Sequence, residues 1–300
     1  VDVILTSVKY DHTDIYPDLA AVERAFAGLV ARVPPGGRII YCADDPRVRA
    51  LAERADMAVD RVSYGREPGA RFTVADLRVD GEGTRFTIKE GEAPLAELRL
   101  RVPGAHNALN ALAVWLEARA LGIAPAAIAA ACASFRGVKR RQEERGEVRG
   151  VLVLDDFAHH PTAVRETLAA LRARYADRRL VVVFEPRSAT SRRKVFQAAY
   201  AAAFDAAALV YIAKPYDQTR IQPEDQFSSD QLVADLRARG ADATLLDTAD
   251  GDVSVAVATV AARAQQGDLI AVLSNGGFGG FIPKLLDRLG APASDPAPAV

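Results

Sequence analysis

The chain has 300 residues, 50% of them hydrophobic and 26% charged, with a formal net charge of −1. That length predicts about two domains with real cores, and the near-neutral balance excludes the bulk electrostatics that draw a protein to nucleic acid or an anionic membrane. Cys42 and Cys132, the only cysteines, fall in no CxxC or Cys/His spacing, which excludes a disulfide framework and a structural zinc site and fits a reducing, cytoplasmic setting; no apolar run approaches the roughly 20 residues of a membrane helix.

The chain opens on VDVILTSV, a buried-strand pattern with no initiating Met and no preceding turn. A core strand rarely begins a domain, so part of the same domain is expected upstream of Val1. YDHTDIYPDL follows, then a helix from about Asp18 to Arg32, stopped by Pro34, Pro35, Gly36 and Gly37. Arg38 to Cys42 reads as a second strand, followed by an Asp45/Pro46 helix start. Short alternating runs between Arg71 and Val102 predict a β-meander laid beside the main sheet. Gly104 introduces an apolar helix, AHNALNALAVWLEARALG, closed by Gly122, and Pro125 starts another that runs to about Phe135. The polar link from Gly137 to Glu144 predicts a domain boundary, dividing 1–137 from 138–292 and leaving 293–300 as a disordered Pro/Ala-rich tail.

Beyond the link, strands near 151–154, 180–184, 208–212, 243–246 and 269–273 alternate with helical segments. This is the rhythm of a doubly wound, mainly parallel α/β sheet, Rossmann-like in class, whose post-strand loops gather on one edge. Those loops include DDFAHH, EPRSATSRR and SNGGFGG.

Each polar cluster admits a ligand reading and a plainer one. His12, inside Asp11-His12-Thr13-Asp14, suits a hard divalent cation, or sits in a capped turn. Asn107 and Asn110 offer amides suited to an adenine edge, or cap a helix. Arg140 and Arg141 suit phosphate, and Arg187, Arg192 and Arg193 a carboxylate or phosphate clamp; both sets could equally be solvated or ion-paired faces. In DDFAHH, Asp155, Asp156 and His160 either form a site at a helix start or merely cap the turn. SNGGFGG is no G-x-G-x-x-G, because Ile282 stands at its last position, and it follows the last strand; this disfavours an NAD-dependent oxidoreductase. No G-x-x-x-x-G-K-[ST] occurs, which excludes a complete P-loop ATPase within these residues.

Taken in order, DHTD, GAHNALNA, GVKRRQE, DDFAHHPTAV, EPRSATSRR and SNGGFGG resemble the Mur ligase family over about residues 5–290. The resemblance implies the later part of an ATP-binding central domain of P-loop type, followed by a Rossmann-like C-terminal domain. The P-loop and a uridine-nucleotide domain would lie in a missing N-terminal region of the same protein, so this chain alone would be inactive. Its implied chemistry is phosphoryl transfer from ATP to the lactyl carboxylate of UDP-N-acetylmuramate, then attack by an amine on the acyl phosphate. DDFAHHPT, FEPRS and LSNGGFGG look most like members that add the tripeptide L-alanyl-γ-D-glutamyl-meso-diaminopimelate in peptidoglycan recycling. The alternatives are addition of L-alanine, or a non-catalytic nucleotide- or peptide-binding module.

By the same resemblance His12 would ligand Mg2+, Asn107 and Asn110 would contact adenine, and Asp156 would hold the ribose. Arg141 would reach the ATP phosphates and, with His159, count as catalytic, while His159, Arg187, Ser188 and Arg192 would face the peptide. Members that add D-Glu, diaminopimelate or D-Ala-D-Ala carry a carbamylated lysine after the DHxD motif. Here AAVERAFAGLVA has no lysine, which implies magnesium bridging without a carbamate.

Overall fold

Side-chain oxygens start several of the helices. Asp18 accepts the Ala21 N–H at 2.7 Å ahead of α1 (Leu19–Val30), and Asp45 accepts the Arg47 N–H at 2.9 Å ahead of α2 (Pro46–Glu53), whose first residue is proline. Both satisfy first-turn N–H groups that have no partner within the helix. Helix α3 (Ala105–Ala120) starts instead at Gly104, whose φ of +110° is open to glycine and strained for other residues. The structure, a computed structural model, describes residues 1–248 and 251–291; the expected tail at 293–300 lies outside the described residues.

The chain divides into two compact units, one of residues 1–137 with 169–174, the other of residues 138–168 and from Tyr175 onward. In the first unit, β1 (Asp2–Leu5), β2 (Arg38–Cys42), β3 (Asp60–Gly65) and β4 (Phe72–Asp80) run parallel in that order. Strands β5 (Gly83–Glu90) and β6 (Ala93–Leu100) then continue the sheet antiparallel. The expected meander is therefore part of the main sheet, joined to it at Tyr64 and Phe72. Val22, Val30, Val48 and Leu51 pack one region of this unit around Ile39, while α3 and α4 (Pro125–Ser134) cover the other with Leu112, Trp115, Leu116 and Ile128.

The second unit holds a six-stranded sheet in the order β11-β10-β9-β12-β8-β7, and only β7 (Glu143–Val148) is antiparallel to its neighbour. Strands β8 (Val151–Asp156), β9 (Arg179–Phe184), β10 (Leu209–Ala213) and β12 (Asp268–Leu273) are almost wholly buried, as expected of inner parallel strands; β11 (Ala243–Leu246) forms one edge. Helices α5 (Pro161–Arg174), α6 (Gln197–Ala203), α7 (Ser229–Ala238), α8 (Ser254–Arg263) and α9 (Phe281–Gly290) link or follow the strands. The last strand, β12, inserts between β8 and β9. That insertion reverses the strand order, and open α/β sheets bind ligands beyond the carboxyl ends of strands at such a point.

Candidate functional site

Three loops leave the carboxyl ends of β8, β9 and β12, and backbone hydrogen bonds tie them together. The Ser274 N–H donates to the Asp156 carbonyl at 3.0 Å, and the Glu185 N–H to the Leu273 carbonyl at 3.0 Å. Glu185 is buried and accepts the Ser274 hydroxyl at 2.5 Å.

The link before β7 is fastened to this edge by arginine and carboxylate. Arg140 donates through Nη2 to the Ser274 carbonyl and to the Gly276 carbonyl at 2.8 Å, and pairs with buried Asp155 at 3.4 Å. Arg145 pairs with the same carboxylate at 3.0 Å. Arg140 and Arg141 each place a guanidinium carbon 5.3 Å from the Phe157 ring centroid. Arg140 is thus enclosed by its partners, whereas Arg141 is exposed and keeps donors available, as an anion site requires.

Asp156 is 2% exposed and holds backbone instead of facing outward: one oxygen accepts the Gln142 N–H at 2.8 Å, the other the Ala158 N–H at 2.7 Å. Burial raises its pKa above the ordinary carboxylate value, opposed by those two N–H groups and by Arg141. A ribose contact would have to share oxygens already occupied. His159 donates from Nδ1 to the Phe157 carbonyl at 3.1 Å and meets that ring edge-on, while its own carbonyl accepts the Tyr200 hydroxyl. His160 caps α5, accepting the Thr162 N–H at 3.2 Å, so its plainer reading is the one the structure shows.

In the loop after β9, Arg187 lies 3.7 Å above the Tyr216 ring and 3.3 Å from Glu185. Arg192 donates to the carbonyls of Ser188, Tyr216 and Asp217. Ser188, expected to face a substrate, is 8% exposed and bonds reciprocally with Ser191, each hydroxyl accepting the other's N–H at 2.9 Å. A short turn with two serines three residues apart closes on itself in this way, because the hydroxyls satisfy backbone N–H groups that the turn leaves over.

Arg141, Asp156, His159, Arg187, Ser188 and Arg192 therefore all belong to the second unit's carboxyl edge. His12, Asn107 and Asn110 belong to the first unit. His12 is exposed in a turn after β1, with φ of +53° and its carbonyl accepting the Ile15 and Tyr16 N–H groups. Among the described residues no three His, Cys, Asp or Glu side chains come together as a metal-holding group, at His12 or elsewhere. Asn107 donates its amide to the Pro103 carbonyl at 2.7 Å, which leaves Asn110, one turn on and exposed, as the amide open to a ligand. Residues that sequence reasoning did not single out are Arg145, Glu185, Ser191 and Tyr216. Only Glu185 carried a signal, its place at the end of an apolar run.

The architecture is that of an α/β protein with two mostly parallel sheets, the second doubly wound. Profile comparison extends that: residues 2–118 match the Mur ligase middle domain, and residues 140–276 the domain described as Mur ligase, glutamate ligase domain. The chain belongs to the Mur ligase family. It is 38% identical over 288 residues to the UDP-N-acetylmuramate–L-alanine ligase of Acidothermus cellulolyticus, covering 95% of this chain and 59% of that protein. It is 36% identical over 302 residues to the enzyme of the same name from Mycobacterium sp. strain JLS, covering 98% and 60%. Among solved structures, a murein peptide ligase from Psychrobacter arcticus matches with a TM-score of 0.68 at 27% identity, covering 98% of this chain and 58% of that one. The UDP-N-acetylmuramate–alanine ligase of Thermotoga maritima shares the fold, with a TM-score of 0.75 at 22% identity over 96% and 59%. The chain thus spans about 59% of the length of the curated relatives it matches.

Proposed function

We propose that this chain supplies the middle and C-terminal domains of an ATP-dependent ligase that joins UDP-N-acetylmuramate to L-alanine. The observation that carries the reading is the 38% identity across 95% of the chain to a ligase of that name, which favours L-alanine over the tripeptide suggested by DDFAHHPT and FEPRS. The arginines on the second unit's edge agree with substrates bearing phosphate and carboxylate groups.

In this reaction a carboxylate oxygen of the muramyl lactyl group attacks the ATP γ-phosphorus and ADP leaves. The amine nitrogen of L-alanine then attacks the acyl carbon, phosphate leaves, and the nitrogen gives up a proton. Arg141 stabilises charge on the transferring phosphoryl group, Asn110 reads the adenine edge, and Arg187, oriented by Tyr216 and Glu185, holds the alanine carboxylate. Asp156 and Arg140 act at one remove by fixing the link that carries Arg141. His159 borders the acceptor side, with Nδ1 protonated against the Phe157 carbonyl.

The test supplies the native protein containing this chain with UDP-N-acetylmuramate, ATP and either L-alanine or the tripeptide, and measures phosphate release and product mass. Turnover with L-alanine alone is expected. Exclusive use of the tripeptide would replace this reading with the murein peptide ligase activity, and no turnover with either would remove both.

A further inference from the structure

At the edge of the first unit's sheet opposite His12 lies a cavity of about 380 Å³, within the size range of small-molecule sites. It opens where β2, β3 and β4 begin, against the last turns of α3. Its apolar floor is Ile40, Val62, Phe72 and Leu116. Three arginines stand around it, and two are already committed: Arg38 pairs with Asp60 at 2.9 Å, and Arg71 with Glu90 at 2.8 Å. Among the described residues Arg119 has no carboxylate partner, and its guanidinium lies over the Trp115 ring, 5.4 Å from the centroid.

Trp115 lines the same cavity and is 4% exposed, yet its Nε1 has no hydrogen-bond partner among the described residues. A buried indole N–H ordinarily finds an acceptor, because leaving it unpaired forfeits its hydration. Among the described residues neither the indole N–H nor Arg119 has an acceptor, and each borders the apolar floor.

We infer that this cavity binds a small organic anion with an apolar body, its carboxylate accepting from Arg119 and the Trp115 N–H and its body lying on Phe72 and Leu116. The cavity shares no lining residue with those assigned to the proposed ligase chemistry. Its ligand class follows from the unmatched donors: a neutral apolar molecule would leave both unpaired, and a bare anion would leave the floor wet.

Trp115 is the only tryptophan, so its fluorescence and its single indole N–H resonance report on this cavity alone. The 300-residue chain is titrated with phenylacetate, acetate and 2-phenylethanol. Phenylacetate should give a saturable fluorescence change with a midpoint on the order of millimolar, as befits so small a ligand, and shift the indole N–H signal. Acetate and 2-phenylethanol should each bind at least about tenfold more weakly, since each lacks one half of the recognition. Arg119 is exposed, so Arg119→Gln should keep the native circular dichroism and raise the phenylacetate midpoint about tenfold. The inference is overturned by the absence of saturation, by equal responses to the three probes, or by an unchanged midpoint in the variant.

Discussion

Gly276 sits where Arg187 crosses the candidate site, and an added methyl group there tests how that arginine is held. A Cβ at Gly276 would lie 1.9 Å from Arg187 Nε and 2.0 Å from its Cδ. Ordinary contact begins at 3.4 Å, so the arginine must retreat by 3.4 − 1.9 = 1.5 Å. That retreat draws the guanidinium off the Tyr216 ring at 3.7 Å and away from Glu185 at 3.3 Å. The stacked contact contributes about 0.5–1 kcal/mol and a partly exposed ion pair about 0.5–1, so Gly276→Ala should cost about 1–2 kcal/mol. The backbone itself tolerates alanine, because Gly276 does not have positive φ. Urea unfolding of the single variants and of Gly276→Ala in an Arg187→Ala background isolates the contact. The glycine change should become nearly neutral once Arg187 is gone; additive costs would refute the account.

Asp156→Asn should destabilise the second unit by about 1–3 kcal/mol by urea unfolding, because an amide offers one acceptor oxygen where two backbone N–H groups need one each. Arg141→Ala should change the unfolding free energy by no more than about 0.5 kcal/mol, since Arg141 is exposed, and should weaken nucleotide binding by the native protein in calorimetry; a stability loss above about 1 kcal/mol would make it a structural residue. Asp45 bears on acid stability: burial would raise its pKa, but the Val8 and Arg47 N–H groups and Lys9 outweigh it and hold the value below the ordinary range. A depressed folded value contributes stability that is present above the unfolded pKa of about 4 and lost as pH falls through the folded one. Asp45→Asn should flatten stability against pH in that acid window and change little of its slope near neutrality.

The alternation of apolar runs and turn residues made the doubly wound sheet legible, because inner parallel strands such as VLVL and LVVVF must be continuously apolar. The β7 strand, EERGEV, was not expected, and its first two residues fell in the link read over 137–144; an edge strand needs no buried face, and charge there discourages pairing with other chains. Strand β3 was missed for a related reason: DRVSYG puts Asp and Arg at the start of a strand whose buried residues are Val62, Tyr64 and Gly65. At the site, residue types showed where anions would be drawn but not which groups were already taken. Ser188 and Asp156 look available in sequence; the structure gives the serine to Ser191 and the carboxylate to the Gln142 and Ala158 N–H groups. Tyr216 orients Arg187 from 29 positions away, and such a pairing leaves no mark on local sequence.

The insertion of β12 between β8 and β9 has a consequence for synthesis. During translation, residues 151–184 emerge well before 268–273, so β8 and β9 wait with facing edges unpaired until β12 is made. A ribosome that stops short of Asp268 would release a product with two open, apolar ladders and a cleft one strand wide between them, a template for association with other chains. The second unit therefore cannot close its sheet until residues 268–273 are made, and chains stalled before them should partition to chaperones or aggregates.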